Sequence, residues 1–175
     1  MAVTLTVSTN TYISLADAKT YAATHLYVDA WTAATDDNKS IALIMATSKI
    51  DRQKFRGEKA NYDQALNFPR AFYMGNRYNR KYGLKIDNVR GIGWYLESEV
   101  SQIVKNAVCE EAFAILKAGA TANKRSELRS QGVTSFTLGS LSETYVSGMS
   151  VGEKLLSLEA KQLLSKYLAG VVPIC

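Results

Sequence analysis

Five cations, Arg77, Arg80, Lys81, Lys85 and Arg90, are interleaved with the rings of Tyr73, Tyr78, Tyr82, Trp94 and Tyr95. Cations at such spacing can follow a phosphate backbone while the aromatics between them stack on unpaired bases. The same pattern also arises when tyrosines pack a segment and its charges stay solvated or meet an acidic partner. The charge distribution makes the stretch conspicuous. The 175 residues carry a net charge of +5, but residues 1–51 hold three basic and five acidic groups, and residues 96–175 hold eight of each. Residues 52–95 hold ten basic and three acidic groups, so the whole excess sits in one block.

Other groups with chemical potential fail to assemble. Gly148-Met149-Ser150-Val151-Gly152 matches the G-x-S-x-G pattern of a hydrolase nucleophile, which needs an acid and then a histidine further along the chain. The single histidine, His25, lies far upstream, so the pattern reads as a Gly/Ser connector. His25 itself reads as a cap or surface residue near a helix end. Glu110 and Glu111 are adjacent, which on a helix turns them about 100° apart, so they read as solvated or interface charges rather than an acid/base pair. Cys109 falls on an apolar helical face and reads as core. With His25, Cys109 and Cys175 far apart, neither a zinc site nor a disulfide framework is expected, and no calcium-loop motif occurs. The expectation is a non-enzyme with no cofactor and no metal. No stretch approaches the roughly 18–20 apolar residues of a membrane span. No basic segment followed by an apolar run opens the chain, which makes a reduced, cytosolic setting the default expectation.

The elements that must position the basic block are mostly helical. Residues 1–13 read as an extended arm. Ser14-Leu15-Ala16-Asp17 forms a capping box that opens a helix to about Tyr27, with Leu15, Ala18, Ala22 and Leu26 on one face. Asp36-Asp37-Asn38 supplies a second N-cap, and Ile41, Ala42, Met45, Ala46, Lys49 and Ile50 carry that helix toward Phe55 and a stop near Gly57. Residues 57–96 lose this periodicity and read as a long insertion of loop or hairpin character. Val100, Ile103, Val104, Ala107, Val108, Ala112, Ile115 and Leu116 then mark the clearest helix, closed by Gly119, with a polar linker at 120–129. Gly139-Ser140 between two Thr/Val-rich runs predicts a hairpin. A last helix starts at Ser157, and Gly170 stops it before an apolar tail. The fold class is therefore mainly α: a small helical bundle with one β-hairpin and a long basic insertion, in a single domain.

Several segments together resemble a known family. They are Tyr12-Ile13-Ser14-Leu15-Ala16-Asp17-Ala18, Asp29-Ala30-Trp31, Ala42 through Asp51, Phe55-Arg56-Gly57-Glu58-Lys59 and Asp63-Gln64-Ala65-Leu66-Asn67-Phe68-Pro69-Arg70. Ile103 through Ala112, Ser142-Glu143-Thr144-Tyr145 and Leu163 through Leu168 continue the match downstream. In this order they resemble the head–tail connector (adaptor, or head-completion) proteins of tailed bacteriophages, a group also labelled DnaT-like single-stranded-DNA-binding proteins. The resemblance implies an oligomeric ring, typically of twelve copies, under the portal protein. Such a ring extends the channel for double-stranded DNA, meets the next tail-completion protein, and places the chain in the virion neck after synthesis in the host cytoplasm. It further implies a C-terminal portal-docking segment, which here is Val171, Val172, Pro173 and Ile174. The insertion at about 71–97 departs from the family pattern, so its cations are candidates to face DNA or a neighbouring subunit. The alternative is a single-stranded-DNA-binding accessory protein acting through residues 72–95.

Overall fold

The computed structural model describes residues 3–74, 93–130, 135–138, 141–144 and 155–169, and of residues 120–130 and 135–144 the backbone alone. Helix α1 spans Leu15–Ala22, and Ser14 caps it as its sequence requires, with its Oγ accepting the Asp17 N–H at 3.1 Å and donating to the Asp17 carboxylate at 2.7 Å. The helix stops at Ala22 rather than near Tyr27. The Thr24 hydroxyl donates to the Tyr21 carbonyl at 2.7 Å, and Tyr27 takes a left-handed φ of 62°, which a continuing helix does not accept. Leu26 is consequently exposed instead of lying on the buried face. A short helix α2 (Asp29–Ala33), absent from the sequence expectation, follows and drives Trp31 into the core.

Helix α3 runs Asp36–Asp51. Its cap is Thr35, whose hydroxyl accepts the Asn38 N–H at 3.3 Å, so Asp36 and Asp37 occupy the first turn, where the helix dipole favours them. Ala42, Leu43, Ala46 and Ile50 are buried, while Ile41 and Met45 face outward. Helix α4 (Gln102–Ser130) is the centre of the body, burying Val104, Ala107, Val108, Cys109 and Ala112 against α1, α2, α3 and the last helix, α5 (Leu158–Leu163). Gly119 interrupts α4 at φ 52°, ψ −148°, a region open to glycine and little else. The helix resumes beyond it, so residues 120–129, expected as a linker, are helical. Ser157 caps α5 through the Ala160 N–H at 3.1 Å. That helix is one short segment, and the chain continues to residue 169 in turns.

The region expected as an insertion contains a three-stranded antiparallel sheet of β1 (Glu58–Lys59), β2 (Arg70–Tyr73) and β3 (Trp94–Leu96), ordered β1-β2-β3. The fold is thus helix-rich with mixed character rather than helical with a single hairpin. Strands this short show no period-2 signature, and β2 and β3 lie far apart in sequence, so no local pattern announces their pairing. The expected hairpin is present as β4 (Ser135–Leu138) and β5 (Leu141–Thr144), paired with Leu138 opposite Leu141.

Candidate nucleic-acid interface

The segment leading into the basic block is built around one inward-facing cation. Arg70 is 5% exposed, and its guanidinium donates to three backbone carbonyls: Arg56 at 2.7 Å, Gly57 at 2.7 Å and Asn67 at 3.2 Å. It also lies 5.5 Å from the Phe55 ring centre and 5.7 Å from that of Phe68, a cation–π arrangement. Its backbone N–H donates to Glu97, whose other oxygen accepts the Tyr167 hydroxyl at 2.7 Å. Burial lowers the pKa of Arg70, with nearby Tyr12, Glu97 and Asp51 acting against that shift. A fork of five donors suits several carbonyls at once, whereas an ammonium does not. Arg70 therefore organises the chain and is removed from any ligand-facing role.

Just before it, Tyr12 donates its hydroxyl to Asp51 and accepts the Phe68 N–H at 3.2 Å. Asp51 also accepts the Asn67 N–H at 2.9 Å, and Asn67 returns a bond to the Asp51 carbonyl at 2.7 Å. Burial first, then the Asp51 carboxylate, pushes the Tyr12 phenol well above its ordinary range. The rings of Phe55 and Tyr12 meet Phe68 edge-on at 4.8 and 5.7 Å, and Tyr167 does so at 5.0 Å. The motif Asn67-Phe68-Pro69-Arg70 is thus a structural knot that launches β2 from a fixed point. The peptide bond between Phe68 and Pro69 is cis.

The sheet delivers the root of the basic block to the surface. Tyr73 on β2 and Trp94 on β3 are direct cross-strand partners, their ring centres 5.6 Å apart at an interplanar angle of 59°. Tyr73 is 61% exposed, while its neighbour Phe72 turns the other way and packs at 6.1 Å from Tyr167. One step further, the Met74 N–H donates to the Gly93 carbonyl at 2.7 Å. Residues 75–92 leave and re-enter the body at that bond. Arg77, Arg80, Lys81, Lys85 and Arg90 lie outside the described residues, as do Tyr78, Tyr82, the Gly148–Gly152 pattern and Val171, Val172, Pro173 and Ile174.

The remaining candidates are occupied structurally. Glu110 accepts the Tyr21 hydroxyl at 3.0 Å and faces His25 Nε2 at 3.2 Å, and His25 Nδ1 meets the Tyr21 carbonyl at 3.0 Å. Glu110 also borders an open groove of about 640 Å³ whose lining includes Tyr27, Trp31, Phe113 and Lys117. Burial, with the charge of Glu110, raises the Tyr21 phenol. Glu111 overturns the expectation of a solvated charge. Its side chain is fully buried, accepting the Leu156 N–H at 3.0 Å, the Ser157 N–H at 2.9 Å and Lys49 Nζ at 3.2 Å. A carboxylate with three donors satisfies its lone pairs without water. Cys109 is buried as expected, which pushes its thiol up to about 12. Among the described residues no group of three or more His, Cys, Asp or Glu is placed to hold a metal ion, and no helix is long and apolar enough to cross a membrane. Sequence reasoning missed Tyr12, Asp51, Arg70, Glu97 and Glu111 as a polar framework; the only sequence trace of it is the order of short motifs.

A helix-rich body that carries a strongly basic segment on a short antiparallel sheet is the class of protein these features define. Over residues 3–173 the chain matches the family described as "Putative DnaT-like ssDNA binding protein", and it belongs to that family. No curated protein and no solved structure shows significant similarity to it.

Proposed function

We propose that the protein is a non-catalytic, DNA-contacting component whose contact is made by the basic segment 75–92 and the aromatic residues at its root. One observation carries this reading. Five cations against one acid are gathered in the 18 residues that begin and end at the Met74–Gly93 bond, beside the exposed Tyr73 and the half-buried Trp94 paired with it. The family description favours single-stranded DNA as the ligand. Arg77, Arg80, Lys81, Lys85 and Arg90 would neutralise phosphates, a contribution that weakens steeply with salt. Fluorescence anisotropy of the full chain with labelled single strands and duplexes, over a range of salt, tests this. Salt-sensitive binding to single strands that falls on charge reversal at Arg77, Arg80 and Lys81 supports it. Binding unchanged by that reversal overturns it.

A second reading is favoured by the order of motifs along the chain outside residues 71–97. In it the protein is a structural adaptor of a phage neck, a ring of about twelve copies under the portal that carries the channel for double-stranded DNA and receives the next tail-completion protein. Val171, Val172, Pro173 and Ile174 would dock on the portal, because an apolar segment is better buried in a partner than exposed. A ring built head to tail needs two different complementary surfaces per copy. Native mass measurement and imaging of the purified protein with a portal separate the two readings. A closed ring under the portal supports the adaptor, and a monomer coating single strands supports the accessory protein.

A further inference from the structure

We infer that Tyr73 and Trp94 form a stacking platform for unpaired nucleobases, a site distinct from the cations that bind phosphate. The inference rests on the single-strand reading above and deepens it. Tyr73 and Trp94 are held by backbone pairing on both sides: Tyr73 pairs with Trp94 in the β2–β3 register, Phe72 with Tyr95, and Met74 donates to Gly93 beyond them. Phe72 anchors the strand from its opposite face against Tyr167, which is itself tied to Glu97 at 2.7 Å. The two rings are therefore placed by the sheet before any ligand arrives, and little rotamer freedom is lost on binding. The rings are tilted by 59° rather than stacked on each other, and the Tyr73 ring is largely open to solvent.

Chain connectivity supplies the complementarity. Residues 75–92 carry five cations and one acid, Asp87, and both of their ends are tethered one residue from these rings. Arg77 and Arg90, the cations nearest those ends, stand three residues in sequence from Met74 and Gly93, so a strand whose phosphates engage them can present bases to these rings. Unpaired bases can leave their neighbours and stack on an aromatic ring, whereas bases in a duplex are already stacked on both faces. Every base offers a π-face, so the platform discriminates single strands from duplex and not one sequence from another.

The test uses the full chain and an oligothymidylate. Trp94 is half-buried while Trp31, the other tryptophan, is 3% exposed, so oligothymidylate should quench the Trp94 emission in the wild-type protein and leave no quenching in Trp94→Phe. Tyr73→Ala should weaken single-strand binding about tenfold or more with the salt slope retained, because stacking releases no counterions. Tyr73→Phe should bind as the wild type does, which also controls for loss of the sheet. Charge variants at Arg77 and Arg80 should instead lower the slope. Single-strand binding that persists in Tyr73→Ala and Trp94→Phe, with no quenching in the wild type, overturns the platform and leaves the single-strand reading standing. A wild-type protein that binds no oligothymidylate overturns both.

Discussion

The guanidinium of Arg70 reaches the carbonyl of Gly57 at 2.7 Å, across the turn that separates β1 from the end of α3. The same side chain holds Arg56 and Asn67, so three carbonyls depend on one planar donor group. Arg70→Lys should lower stability by about 2 kcal/mol, and Arg70→Met by about 3 kcal/mol, because buried acceptors lose charged donors. Urea unfolding of the two variants reads this directly. A Lys variant with wild-type stability would mean that the fork geometry is irrelevant.

Gly57 is required where it stands. It has φ +73°, and a Cβ there would lie 2.2 Å from the Ala71 carbonyl oxygen and 2.9 Å from Phe72. Gly57→Ala should therefore cost more than the roughly 1 kcal/mol of left-handed strain alone, since β1 and β2 must also separate. Gly119 is the contrast, with nothing within 4 Å of an added Cβ and an equally glycine-demanding backbone. Gly119→Ala should show backbone strain only, and the gap between the two melting temperatures measures the clash.

Glu111 joins three separate pieces of chain: its own helix, Lys49 on α3 and the approach to α5 at Leu156 and Ser157. Glu111→Gln keeps the shape but replaces one acceptor oxygen with a donor facing an N–H. A loss of about 2–3 kcal/mol is expected from the stranded buried donor. Lys49→Met should cost less, because two backbone donors still serve the carboxylate. Equal losses in the two variants would show that the ion pair, not the backbone clasp, holds α5.

Alkaline pH should unfold the protein from within. Burial holds the Tyr167 phenol and the Cys109 thiol up to about 12, and Tyr12 and Tyr21 are raised further. In the unfolded chain these groups ionise near their ordinary values of 10.0 for phenols and 9.0 for the thiol. Above those values the unfolded state holds fewer protons than the native one, so stability falls as pH rises. It is fully present below about pH 9 and declines between there and about 12. Phenolate absorbance should show three of the ten tyrosines ionising only with the unfolding transition. Three phenols titrating freely in the native state would contradict this.

What the sequence made legible follows from periodicity and caps. The Ser14 and Ser157 caps, the α4 core face and the β4–β5 hairpin are local signals, and each stands where local chemistry puts it. Tyr27 at positive φ and the helical segment beyond Gly119 were not legible, because a left-handed backbone is uncommon for an aromatic residue and a glycine that closes one helix says nothing of whether another follows it directly. Glu111 misled for a related reason. Its neighbour Glu110 and its charge read as surface, while its partners lie 45 and 46 residues downstream. Tyr12 and Phe68 meet across 56 residues, which no local pattern encodes. The cations of 75–92, by contrast, were visible at once as composition.

The bond between Met74 and Gly93 makes those 18 residues an exchangeable cassette. Loop-closure entropy changes by only about 0.6 kcal/mol per doubling of length, so the helical body is nearly indifferent to what is spliced in at this point. Replacing the segment with a two-residue Asn-Gly turn would leave a minimal scaffold, and grafting the segment onto another hairpin would move its charge with it.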